Sequence, residues 1–127
     1  MAPPTTRSTG IAGERAAIAH LAAGGFRIID TNFRTREGEL DVVAIDSRTL
    51  VFCEVKARLG ARPAARALEG IGPAKRRRIR AMARIWLSDR APLLSGWRGH
   101  DIRFDAIGVG VDQAGRVLTI EHVEDAF

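Results

Sequence analysis

Two neighbouring segments carry side chains able to do chemistry together. Residues Glu39 to Ile45 and Leu50 to Lys56 both read as β-strands, separated by Asp46-Ser47-Arg48-Thr49. Alternation of side-chain direction places Glu39, Asp41, Val43 and Ile45 on one face of the first strand. It places Leu50, Phe52, Glu54 and Lys56 on one face of the second. A hairpin in which paired residue numbers add to 95 sets Ile45 against Leu50 and Val43 against Phe52. The same register sets Asp41 against Glu54 and Glu39 against Lys56. Two carboxylates with Cβ atoms ~5 Å apart repel, so Asp41 and Glu54 need a proton, a basic partner or a metal ion.

An oxygen-only site of this kind suits Mg²⁺ or Mn²⁺, which use few carboxylates and keep several waters. Such an ion beside a lysine is the chemistry of phosphodiester hydrolysis. Lys56 would orient or help deprotonate the attacking water, or neutralise the pentacovalent phosphate. The competing reading is a set of exposed salt bridges worth ~0–1 kcal/mol each. Glu39 in particular is accounted for by pairing with Lys56.

The elements around this pair must hold it. Residues 1–8 are rich in Pro and Thr and are expected to be disordered, leaving 9–127 as a single domain. Ser8 or Thr9 would cap a helix from about Gly10 to Ala23, ended by Gly24-Gly25. Its inward face would hold Ile11, Ile18, Leu21 and Ala22, and Glu14 shares that face. A carboxylate there is unexpected unless it pairs with Arg15 or Arg34. Residues Phe26 to Asp30 form a short strand, followed by a polar turn through Asn32 to Gly38.

Residues Leu59 to Gly72 suggest a loop ordered on binding, and Pro73 opens a helix running to about Ser88. Ile79, Met82, Ala83 and Trp86 would form its apolar seam, with Arg77, Arg80 and Arg84 on the other side. Residues 102–111 and 116–122 supply a fourth and a fifth strand. The order α-β-β-β-α-β-β predicts an α/β sandwich.

Charge points to a partner. Lys and Arg number 20 against 15 Asp and Glu, for a net +5, and the excess is local. Between Ala57 and Arg90 stand ten basic residues and two acidic ones, so the remainder of the chain is net acidic. A basic lobe on an acidic body fits a polyanion whose phosphates meet the lobe, the alternative being a solvated arginine-rich helix face. Lys75, Arg76, Arg77, Arg80 and Arg84, with Arg58 and Arg62, are the candidate phosphate contacts. Trp97 lies in a loop where it could stack on a base.

Other classes fall away. The single Cys53 excludes an internal disulfide and a multi-cysteine zinc site, and a reducing cytoplasm is the expected compartment. No apolar run approaches the ~20 residues of a membrane span, and the first eight residues lack a signal-peptide core. His20, His100 and His122 show no metal-ligand spacing and read as structural or solvated. Asp105, on a strand face with Ile107 and Val109, calls for a salt bridge to an arginine.

Taken in order, Gly13-Glu14, Gly38-Glu39-Leu40-Asp41, Phe52-Cys53-Glu54-Val55-Lys56, Pro73-Ala74-Lys75-Arg76-Arg77-Arg78, Arg103-Phe104-Asp105 and Ala126-Phe127 resemble the bacterial YraN-like family. The resemblance covers nearly all of the chain after residue 9. Cys53 and Ala57 depart from the Val and Thr often found there. That family looks like a member of the PD-(D/E)XK restriction-endonuclease-like superfamily, related to Holliday junction resolvases.

The resemblance implies a mixed central sheet flanked by helices and a Mg²⁺- or Mn²⁺-dependent endonuclease acting on branched DNA. It makes Asp41 the first carboxylate, Glu54-Val55-Lys56 the E-x-K element and Glu14 the extra carboxylate on the preceding helix. The ion would be bound by Asp41, Glu54, the backbone carbonyl of Val55 and Glu14, the last directly or through water. Cutting a junction needs two active sites, which would call for a homodimer. The rival reading is a binding or scaffolding module that keeps the nuclease fold without cutting.

Overall fold

The structure, a computed structural model, describes residues 3–61, 70–94 and 101–127. Its first helix begins earlier than the sequence suggests. Thr5 and Ser8 form a reciprocal cap: the Ser8 N–H donates to Thr5 Oγ1 at 3.0 Å and the Thr5 N–H to Ser8 Oγ at 2.8 Å. Helix α1 therefore spans Thr6–Ala23, and residues 6–8 are helical instead of disordered. Strands β1 (Arg27–Thr35), β2 (Gly38–Asp46) and β3 (Thr49–Leu59) follow. Helix α2 (Pro73–Asp89) precedes a short 3₁₀ turn, Ala91–Leu93, and strands β4 (Asp101–Val111) and β5 (Val117–Val123) close the order.

The five strands form one mixed sheet in the order β1-β2-β3-β4-β5. All neighbouring pairs are antiparallel except β3 with β4, which run parallel. A parallel pair needs a long crossover, and α2 lies within it. The fold is thus α/β, with helices on both faces of the sheet. On one face α2 buries Ile79, Met82, Ala83 and Trp86 against Val43, Ile45, Leu50 and Phe52. On the other, α1 packs on Val42, Val51, Cys53, Ile107 and Val109.

The buried stripe of α1 differs from the expected one. It consists of Thr9, Gly13, Ala17 and Leu21, while Ile11 and Ala22 are exposed. Small residues win because the helix lies very close to the sheet. A Cβ added at Gly13 would sit 2.3 Å from the Cβ of Ala57 on β3. Strand β1 also runs further than expected, through Asn32 to Thr35, leaving a two-residue turn at Arg36-Glu37. Asn32 reaches this by a left-handed backbone, φ 53°, just after a bulge between Ile28 and Asp30.

Candidate functional site

The β2–β3 hairpin turns at Ser47-Arg48, with Ser47 at φ 55°, and holds the expected register from Asp46↔Thr49 through Ile45↔Leu50 and Val43↔Phe52 to Val42↔Cys53. There the ladder stops. Beyond it β2 pairs only with β1, as in Leu40↔Phe33 and Glu39↔Arg34, while β3 continues alongside β4 to Leu59↔Val111. The two strands diverge, so Asp41↔Glu54 and Glu39↔Lys56 are not ladder partners. Glu39 instead meets Arg34 across β1 at 3.4 Å, at the surface. Freed from β3, β2 twists as a two-stranded ribbon, and strict alternation breaks: Leu40 joins the core under α2 while Val42 faces α1.

Asp41 sits where the strands part. Its Oδ2 accepts the Val55 N–H at 2.8 Å, so the carboxylate replaces a missing ladder partner. The N–H and C=O of one strand residue point to the same edge, which turns the Val55 carbonyl toward the same gap. Burial and the neighbouring Glu54 carboxylate push the Asp41 carboxyl up to about 7, against the lowering effect of the Val55 N–H. Glu54 is itself buried, and its Oε1 lies 2.6 Å from Lys75 Nζ on α2. Lys75, expected to face a phosphate, is the counter-ion of the E-x-K glutamate.

Asp41 is shared by two cavities. On the α1 side it lines a space of about 500 Å³ with Glu14, Asn32, Arg7, Arg15 and Arg34. On the α2 side it lines a space of about 280 Å³ with Glu54, Lys75 and Arg78. Glu14 and Glu54 therefore approach Asp41 from opposite sides. Lys56 lines neither space; it is half-buried two residues beyond Glu54, and a Cβ added at Gly70 would lie 3.9 Å from its Cε. Glu14 is half-buried and fixed by Asn32, whose Nδ2 donates to Glu14 Oε1 at 2.5 Å. Its expected partners, Arg15 and Arg34, line the same cavity.

Two close carboxylates, one of them forced toward its neutral form, beside a carbonyl edge make a donor set that fits a hard divalent cation. Among the described residues, no group of three or more His, Cys, Asp or Glu side chains is arranged to enclose an ion. An ion at Asp41 and Glu54 would complete its shell from the Val55 carbonyl and water, as Mg²⁺ and Mn²⁺ do.

The basic lobe divides. Arg76 Nε donates to the Ile71 carbonyl at 2.9 Å, and Arg80 lies 4.9 Å above the Phe104 ring. Arg58, Arg77 and Arg84 are exposed, and Arg62 and Trp97 lie outside the described residues. Sequence reasoning names Arg15 and Arg34 as partners of Glu14 but gives no sign of Asn32 or Arg7 at this site. An Asn within a polar stretch is a signal for left-handed backbone, yet nothing local links it to Glu14.

Elsewhere, Asp105 forms its expected salt bridge, with Arg103 Nε at 2.8 Å, and is wholly buried. Cys53 is buried in the α1-side core, which pushes its thiol pKa well up. Among the described residues no helix is long and apolar enough to cross a membrane.

Comparison with known proteins places the chain. The model of the uncharacterised protein family UPF0102 matches residues 13–109, a span that contains Glu14, Asp41, Glu54 and Lys56. A UPF0102 protein of Frankia alni is 44% identical over 91% of this chain and 90% of its own. One of Chlorobium chlorochromatii is 40% identical over 98% and 95%, and one of Moorella thermoacetica 37% over 97% and 98%. By family model and by near full-length relatives alike, the chain belongs to the UPF0102 family.

Proposed function

We propose that the protein is a Mg²⁺- or Mn²⁺-dependent endonuclease of the restriction-endonuclease-like type, acting on branched or otherwise structured DNA. The observation that carries this reading is the Asp41 carboxylate held by the Val55 N–H in the gap between β2 and β3, against buried Glu54. Asp41, Glu54 and the Val55 carbonyl would hold the ion, with Glu14 reaching it from the α1 side. When bound, the ion supplies Lewis acidity and offsets charge on the scissile phosphate.

The chain's own residues do the rest. Lys56, next in line on β3, orients the attacking water and neutralises developing charge on the phosphate oxygens. Exposed Arg58, Arg77 and Arg84 grip flanking phosphates without reading bases. Asn32 keeps Glu14 turned into the cavity. Two copies would be needed to cut both strands of a junction, and the composition suits a cytoplasmic protein.

One observation favours a second reading, a binding module that does not cut. Glu54 is already neutralised by Lys75, so the acidic site is internally balanced without an ion. Cleavage of labelled junction, flap and duplex DNA with Mn²⁺ separates the two. The nuclease reading predicts cutting that Asp41→Ala and Lys56→Ala abolish; binding without cutting by the wild-type chain supports the module.

A further inference from the structure

The sequence assigns no metal role to histidine, but the fold brings two together from residues 102 positions apart. His20 Nε2, in the last turn of α1, lies 3.3 Å from His122 Nδ1 on β5. The rings meet edge to face, 72° apart. The far nitrogen of His122, Nε2, is 2.7 Å from Asp105 Oδ2. Asp105 is fully buried and anchored by Arg103 Nε and Nη2, at 2.8 and 2.9 Å, and by the Asp125 N–H at 3.0 Å. Burial alone would raise its pKa, but the hydrogen bonds from His122, Arg103 and Asp125 outweigh it and keep the carboxylate ionised.

An ionised carboxylate only accepts hydrogen bonds, so His122 donates from Nε2. In the neutral ring Nδ1 then bears a lone pair, and that lone pair faces His20. A separation of 3.3 Å is long for a hydrogen bond, which is usually about 2.9–3.0 Å. It does match two imidazole nitrogens on one tetrahedral ion: at metal–nitrogen distances of about 2.0–2.1 Å they lie roughly 3.3 Å apart.

We propose that His20 and His122 form a two-histidine site for Zn²⁺ or a similar imidazole-seeking transition ion, with Asp105 as the carboxylate that orients His122 and waters as the remaining ligands. Imidazole suits Zn²⁺, Cu²⁺ and Ni²⁺, and carboxylate–histidine–metal chains are the usual support of such ligands. The end of α1 favours a cation through its exposed carbonyl dipoles. The nearby Arg103 does not oppose one, since Asp105, Asp46 and Glu124 share its charge. His20 is half-buried, and the His122 side chain is only 10% exposed. The bound ion would staple α1, which carries Glu14, to the edge strand. None of these residues lines either cavity containing Asp41, so the site stands apart from the proposed nuclease centre.

Isothermal titration of the full chain with Zn²⁺ near neutral pH tests it. In excess Mg²⁺, which fills the oxygen site at Asp41 and Glu54, the expected result is one Zn²⁺ per chain, roughly tenfold or more weaker in His20→Gln and in His122→Ala. His20→Gln retains a hydrogen-bond donor to His122 and decides the matter even if His122→Ala fails to fold. Cu²⁺ added in its place should show electron-spin coupling to two nitrogens in the wild type and one in His20→Gln. Absence of saturable Zn²⁺ binding in excess Mg²⁺, or equal affinity in His20→Gln, would overturn the proposal.

Discussion

Lys75 Nζ lies 2.6 Å from Glu54 Oε1, joining the first turn of α2 to the middle of β3. The pair makes a basic-helix residue part of the site it was expected only to flank. Removing Lys75 leaves Glu54 buried without a counter-ion, next to Asp41. Lys75→Met should cost about 2 kcal/mol, between the values for exposed and fully buried pairs, because Lys75 itself is partly exposed. Mn²⁺ should restore stability in this variant more than in the wild type. Urea denaturation with and without Mn²⁺ measures both.

Asp41 gives a pH dependence of definite sign. Its carboxyl titrates at about 7 in the folded chain against an ordinary 3.8, so folding disfavours the charged form. Its contribution to stability is therefore whole below about pH 4, declines as pH rises to about 7, and stays low above that. Asp41→Asn removes the charge and can still accept the Val55 N–H. The variant should exceed wild type on the order of 2–4 kcal/mol near pH 8 and lose that advantage near pH 4, read from paired denaturation curves.

The closeness of α1 to the sheet separates two glycines of one helix. Alanine is the better helix former by about 1 kcal/mol, and nothing lies within 4 Å of a Cβ at Gly10. Gly10→Ala should raise thermal stability. Gly13→Ala should lower it by about 1–3 kcal/mol, since its Cβ would collide with Ala57 and lift the helix carrying Glu14.

The exposed and the engaged cations should behave differently toward DNA. Arg77→Ala and Arg84→Ala should each weaken binding similarly across sequences and reduce the slope of log affinity against log salt by about 1. Arg80→Ala, whose guanidinium stacks on Phe104, should act mainly on stability. Fluorescence anisotropy over a salt series distinguishes them.

How far the site could be read beforehand depends on where its causes lie. The β2–β3 register follows from local facts: a short turn and the apolar matches Val43 with Phe52 and Ile45 with Leu50. The α2 seam of Ile79, Met82, Ala83 and Trp86 follows from periodicity. The parting of the strands at Asp41 does not, because β4 claims the far end of β3 and β1 keeps that of β2. Small-residue packing escaped for a related reason. Gly13 and Ala17 carry little hydrophobic signal, and only the sheet beneath them explains why they, and not Ile11, are buried. Pairs such as Asn32 with Glu14, or His20 with His122, join residues far apart in the chain and leave no local trace.

Anomalous diffraction from crystals grown with Mn²⁺ shows whether Asp41 and Glu54 hold a divalent ion. A peak is expected between the Asp41 and Glu54 carboxylates and the Val55 carbonyl, with Lys75 displaced from Glu54. A saturated crystal with no peak there, and Lys75 still on Glu54, would contradict a metal site at these residues.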